Sequence, residues 1–156
     1  MEGSRQGVIS TTIGDAAVEG LLVGIVAGVA MAAFILVVEF LGGVSPVTVL
    51  GYFDVSHNGS PLAGLFTHLA VAGVYGVVFG LLWSRLTRLG RGWIIAAGVV
   101  YGFVILRIAE WIILPSTATP LSQVPFWVMA IAHGIYGAAL GVQFGRGGGK
   151  NEEMRG

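Results

Sequence analysis

Apolar positions along this 156-residue chain neither alternate as in a half-buried strand nor keep to one stripe of a helix. They fall into four long runs, near residues 20–42, 62–83, 92–114 and 124–144. Each run is close to the roughly 20 residues an α-helix needs to cross the hydrocarbon of a bilayer. A helix that is apolar on every side requires apolar surroundings. The pattern therefore predicts an all-α fold, a polytopic membrane four-helix bundle with its N and C termini cytoplasmic. Residues 1–19 are expected to form a cytoplasmic N-terminal segment, 20–145 the transmembrane domain and 146–156 a flexible cytoplasmic tail.

Short breaks separate the runs: a Gly/Pro-containing stretch over 43–61, the basic turn "SRLTRLGRG", and the proline-rich "PSTATPLSQVP". The first run, which contains "VAMAA", is long for a signal-peptide core and follows a single basic residue, Arg5. We read it as a membrane helix and not as a cleaved signal.

Composition agrees with the bilayer as solvent. Hydrophobic residues make up 55% of the chain, charged residues 10%, and mean hydropathy is +0.86. Net charge is zero, so no basic field points to nucleic acid, and the absence of cysteine removes disulfides and thiolate chemistry. The basic residues have a side: Arg85, Arg88 and Arg91 crowd the second connection, while Arg146, Lys150 and Arg155 follow the last run. The first and third connections carry no Lys or Arg. That bias places both termini in the cytoplasm of a cell membrane, in a prokaryotic inner membrane, with Trp83 and Trp93 at the inner boundary and Trp111 and Trp127 at the outer one.

A second pattern lies within the runs. "GVYGVVFG" (73–80) returns as "GIYGAALG" (134–141), and every run has small residues four apart: Gly20, Gly24 and Gly28; Gly76 and Gly80; Gly98 and Gly102; Gly137 and Gly141. Such residues share a helix face and let two backbones approach closely, so packing is their expected role. Setting one Tyr-Gly motif on the other equates Ala72 with His133 and Phe66 with Trp127. The first and third runs share an Ala-Gly-Val (27–29, 97–99) followed by Glu39 or Glu110. This suggests a duplicated two-helix hairpin, repeated in parallel about an axis along the membrane normal.

Through "GIVAGVAMAAF", "THLAVAGVYGVVFG", "GVVYGFVILRIAEWIILP" and "AHGIYGAALG" the chain resembles a group of uncharacterised small four-helix integral membrane proteins of bacteria and archaea. The resemblance runs from about Leu21 to Phe144. It implies a fold and a membrane location, and transfers no catalytic residue.

Five ionisable residues fall within the runs, all in one half of the bilayer: Glu39, His68, Arg107, Glu110 and His133. Burying a charge there costs about 2.5–3.5 kcal/mol on insertion scales, so each needs a partner or an interface. Arg107 and Glu110, three apart on one helix, can form an ion pair, and Arg107 can alternatively reach Glu39. His68 and His133 sit about one turn apart in depth. They could hold a b-type haem, bind a divalent metal with Glu39 or Glu110, form a proton-accessible cluster, or donate to a carbonyl and fix helix register. Structural hydrogen bonding is favoured over haem or metal.

Tyr75, Tyr101 and Tyr136 each precede a glycine and read as packing residues. Asp54, His57 and the triplet Asn58-Gly59-Ser60 read first as turn chemistry. No nucleotide loop, metalloprotease helix or nucleophile elbow occurs. The expectation is a non-enzymatic accessory or scaffolding subunit, acting as a homo-oligomer or within a larger membrane complex. A haem-, metal- or proton-binding protein is the alternative, and a small transporter comes third.

Overall fold

The computed structural model describes residues 12–84, 91–117 and 119–153, and among these there is no strand. Arg85, Arg88 and Arg155, which carry much of the orientation argument, lie outside the described residues, as do the side chains of Arg91 and Lys150.

Helix α1 (Ile13–Leu41) begins seven residues before the apolar run that announces it. The reason is a capping box: Asp15 N donates to Thr12 Oγ1 at 3.1 Å, and Thr12 N donates back to Asp15 Oδ2 at 2.9 Å. Residues 13–19 of the expected N-terminal segment are thus helical and run on into the first apolar stretch. The first connection contains an unexpected helix, α2 (Pro46–Tyr52), started by a Ser45 cap with proline in the first turn, where its missing N–H is harmless. The same Ser-Pro device starts α3 (Pro61–Trp83) at Ser60.

Helix α4 (Arg91–Ile108) continues through a π-helical turn, Ala109–Ile113, into α5 (Leu114–Thr117), three residues past the expected stop at Leu114. Pro115 explains the wide turn. It lacks an N–H and its ring crowds the carbonyl four residues earlier, so the ladder shifts to a longer step, with Leu114 N donating to Ala109 O. A 3₁₀ turn (Pro120–Gln123) then leads to α6 (Phe126–Glu153). Over 146–153, where a flexible tail was expected, the backbone continues α6 as helix, each further residue adding one backbone bond to a helix already nucleated.

Four helical stretches, Ile13–Leu41, Pro61–Trp83, Gly92–Thr117 and Phe126–Arg146, are long and apolar enough to cross a membrane. Large side chains such as Val26, Phe40, Phe66, Val100 and Ile112 stand exposed around them. In water such a surface would aggregate; in lipid it is ordinary. The chain is a multi-pass membrane protein. Trp93, Trp111 and Trp127 are exposed, but Trp83 is buried and stacks on Phe79 with ring centroids 6.4 Å apart, so it serves the core and not an interfacial belt.

The helices pack as two pairs, α1 with α3 and α4 with α6, and the pairs join chiefly along α1 and α6. Glycines set both pairings. A Cβ on Gly24 would lie 2.6 Å from Ala72 O and 2.7 Å from Gly76 Cα, and one on Gly141 would lie 2.6 Å from Ile95 Cα. Real side chains do not tolerate such distances, so these positions admit hydrogen only.

The two interfaces use equivalent contacts. Gly20 meets Gly76 and Gly80 as Gly98 meets Gly137 and Gly141; Gly24 meets Ala72 and Gly76 as Gly102 meets His133 and Gly137. Packing therefore equates Gly98 with Gly20. The Ala-Gly-Val match equates Gly98 with Gly28 instead, two turns away, because it follows a short sequence likeness that the helix contacts do not use.

Core side chains fill the space between the pairs, with Ile35, Leu106, Val128 and Leu140 fully buried. Two hydrogen bonds stitch the pairs together: Tyr136 Oη donates to Ala72 O at 2.6 Å and Tyr101 Oη to Tyr75 O at 2.7 Å. Towards the end that carries the start of α1 and the finish of α3, Phe79 packs with Trp83, Tyr101 and Phe144 in an aromatic cluster.

Gly137→Ala and Gly134→Ala should behave differently although the sites are three residues apart. A Cβ at 137 would lie 3.0 Å from Val99 Cα and closer still to the Gly98 carbonyl, whereas at 134 it meets nothing within 4 Å. The first substitution should cost about 1–3 kcal/mol in reversible unfolding from micelles, the second close to nothing.

Candidate functional site

The loop end of the bundle, where α2 and the 3₁₀ turn lie, is built differently from the aromatic end. Helices α3 and α4 touch little, because each is drawn onto its own partner. The resulting gap is a cavity of about 140 Å³. Met31 of α1 and Met129, His133 and Tyr136 of α6 back it, and Thr67, His68, Val71 and Tyr75 of α3 face Ile105, Ala109 and Ile113 across it. Phe53, Val55, Thr119 and Leu121 close the loop end, and Val55 and Val71 are exposed residues on its rim.

Both membrane histidines thus line one space, and each is held by a backbone carbonyl. His68 Nε2 is 3.0 Å from Gly28 O, a bond that crosses from α3 to α1 over the glycine, and His133 Nδ1 is 2.8 Å from Met129 O one turn back on α6. A carbonyl can only accept, so each bonded nitrogen carries the proton. In the neutral rings, His68 Nδ1 and His133 Nε2 are then acceptors, and neither has a partner among the described residues. The Phe53 ring packs on His68 with centroids 4.5 Å apart.

By the packing equivalence, Met129 stands where His68 does and Leu106 where Gly28 does, and both are buried. The polar pairing of histidine with a bare glycine carbonyl belongs to the first hairpin alone.

The carboxylates lie elsewhere. Arg107 Nη1 donates to Glu110 Oε2 at 2.9 Å on the outside of the bundle, where the guanidinium, half exposed, also lies 5.7 Å from the Trp111 ring and 5.5 Å from that of Phe126. Glu39 is half-buried near the end of α1 and lines neither the cavity nor the ion pair. Among the described residues no three of His, Asp, Glu or Cys come close enough to hold a metal. The set His68, His133, Glu39 and Glu110 is therefore not assembled, because Glu110 is turned outwards to Arg107. The space beside the histidines, about 140 Å³, is close in size to an apolar cavity of about 150 Å³ in another protein that accommodates benzene.

Thr119 is the residue that sequence reasoning overlooked. It is 3% exposed, yet its Oγ1 has no hydrogen-bond partner among the described residues. Thr119-Pro120 was legible as the start of a turn; its burial against a cavity was not.

Asp54 stabilises the loop-end wall. Its Oδ1 accepts from Ser56 N at 2.9 Å and Ser56 Oγ at 2.6 Å, and its Oδ2 accepts from Ser60 N at 2.9 Å. It shapes the turn between Phe53, Val55 and α3, in which His57 adopts a φ of 60° and Gly59 one of 65°. Compared with family models, curated proteins and solved structures, the chain gives no match.

The hydrogen bonds from the Ser56 side chain and backbone, then from Ser60, hold the Asp54 carboxyl below its ordinary 3.8. A lowered folded value means the contribution of Asp54 is complete above pH 3.8 and is lost as pH falls through the lower value. A carbon-detected NMR titration should place the Asp54 midpoint below 3.8, and Ser56→Ala should move it upwards.

Proposed function

We propose that the protein is a non-enzymatic membrane protein that binds a small apolar molecule in the cavity between α3 and α4. The observation that carries this reading is the cavity itself: an apolar space of about 140 Å³ with two histidines in its wall. Ligand sites in helix bundles are characteristically apolar with a few polar groups. The closed aromatic cluster at the opposite end favours a binding pocket over a transport path.

An accessory or scaffolding role drew its support from glycine faces left over for a partner. Gly24, Gly28, Gly76, Gly80, Gly98, Gly102, Gly137 and Gly141 instead meet other helices of the same chain, which withdraws that support from a homo-oligomer or larger complex. The matching glycine contacts of the two pairs support descent from one duplicated hairpin, in keeping with the resemblance to small four-helix membrane proteins of prokaryotes. Exposed Trp111 and Trp127 near the loop end, with Arg146 near the other, support cytoplasmic termini in a prokaryotic inner membrane.

Toluene added to the protein in lipid nanodiscs tests the reading. Ligand-observed NMR should detect saturable binding to the wild-type protein and none to Ala109→Phe, whose ring fills the space. Equal signals from both proteins would mean that toluene is reporting on lipid alone.

A further inference from the structure

We infer that the cavity is selective for a neutral single-ring aromatic molecule bearing one hydroxyl, a phenol, and that Thr119 and the free histidine nitrogens are its polar recognition elements. This inference rests on the ligand-binding reading above and specifies the chemistry of the same site.

Size comes first. About 140 Å³ is close to the space that holds a benzene ring in an apolar cavity elsewhere, so one six-membered ring is the natural fit. The wall is aromatic as well: Phe53, His68, Tyr75, His133 and Tyr136 supply rings against which a flat ligand can pack edge to face.

The polar groups then restrict what the ring can carry. The carbonyls of Gly28 and Met129 fix the two imidazoles with their protons turned away, so His68 and His133 each offer a bare acceptor nitrogen and no donor. A ligand oxygen without hydrogen, as in an ether or a quinone, cannot pair with the imidazoles and is left to the hydroxyls of Thr67, Tyr75 and Thr119. A hydroxyl can donate to an imidazole nitrogen. Its lone pairs can meanwhile accept from Thr119 Oγ1, the buried hydroxyl with no partner among the described residues, once that hydroxyl rotates towards the cavity.

An unpaired buried hydroxyl is costly, and a ligand that pairs it recovers part of that cost. A charged ligand is disfavoured by the surrounding apolar side chains and by the absence of any carboxylate or Arg in the lining.

One chemistry has two sources here. A small phenol can arrive from the aqueous side past Val55, or the ring can be the head of a lipid-soluble molecule whose tail leaves past exposed Val71 into the membrane.

The test uses the full-length protein in nanodiscs and a series of neutral probes, each corrected for lipid partition against Ala109→Phe. Phenol should bind about fivefold or more tightly than toluene or anisole, the preference that one net hydrogen bond supplies. Anisole has the oxygen without the donor, so the series tests the hydroxyl without any further substitution. In Thr119→Val the phenol preference should shrink while toluene binding persists. Equal binding of all three probes to the wild-type protein overturns the phenol assignment and leaves the cavity reading standing. Failure of every probe to bind overturns both. Displacement of phenol by 4-nonylphenol assigns the ligand to the membrane phase, and bound phenol that 4-nonylphenol cannot displace assigns it to the aqueous phase.

Discussion

Close approach of helix backbones is the constraint on which the rest of this structure depends. Lipid supplies no hydrophobic force between helices, because an acyl chain is as apolar as a leucine side chain. Besides a few interhelical hydrogen bonds, what remains is chiefly dispersion, which is weak for each atom pair and falls steeply as a gap opens. Gly24 against Gly76 and Gly98 against Gly137 bring main chains into direct contact, so that many atom pairs lie near their optimum. The order of the bundle follows. Each glycine-lined pair is drawn tight, the pairs meet along α1 and α6, and α3 and α4 are left with little to say to one another.

The loop-end cavity is therefore a by-product of strong pairing elsewhere. Two tight interfaces hold α3 and α4 at positions set by their own partners, and side chains have to fill what lies between. At one end they succeed, with Phe79, Trp83, Tyr101 and Phe144 meeting ring to ring. At the other, Ala72, Ala109 and Val71 are too small to do so. Histidines in that wall are tolerable because each has a carbonyl to donate to. Gly28 matters twice, in admitting Ala72 and in leaving its own oxygen within reach of His68.

Much of this could be read from the chain. Four apolar runs gave the four spans, because length and hydropathy are properties of a segment alone. The three-residue spacing of Arg107 and Glu110 sufficed to foresee a pair on neighbouring turns. The early start of α1 was written in Thr12 and Asp15, and that of α2 in Ser45-Pro46, but both signals are local and a search for apolar runs passes over them. The relative register of α1 and α4 was not legible. Ala-Gly-Val occurs in both, and only the contacts reveal that Gly20 and not Gly28 does what Gly98 does. The cavity was equally hidden, since it arises from two helices failing to meet, and Thr119 gains its interest only from what surrounds it.

The ring cluster around Phe79 has a further consequence for the pocket. Packed rings at that end leave the pocket no continuation towards the far side of the bundle, so anything that occupies it has to enter and leave by the Val55 and Val71 rims.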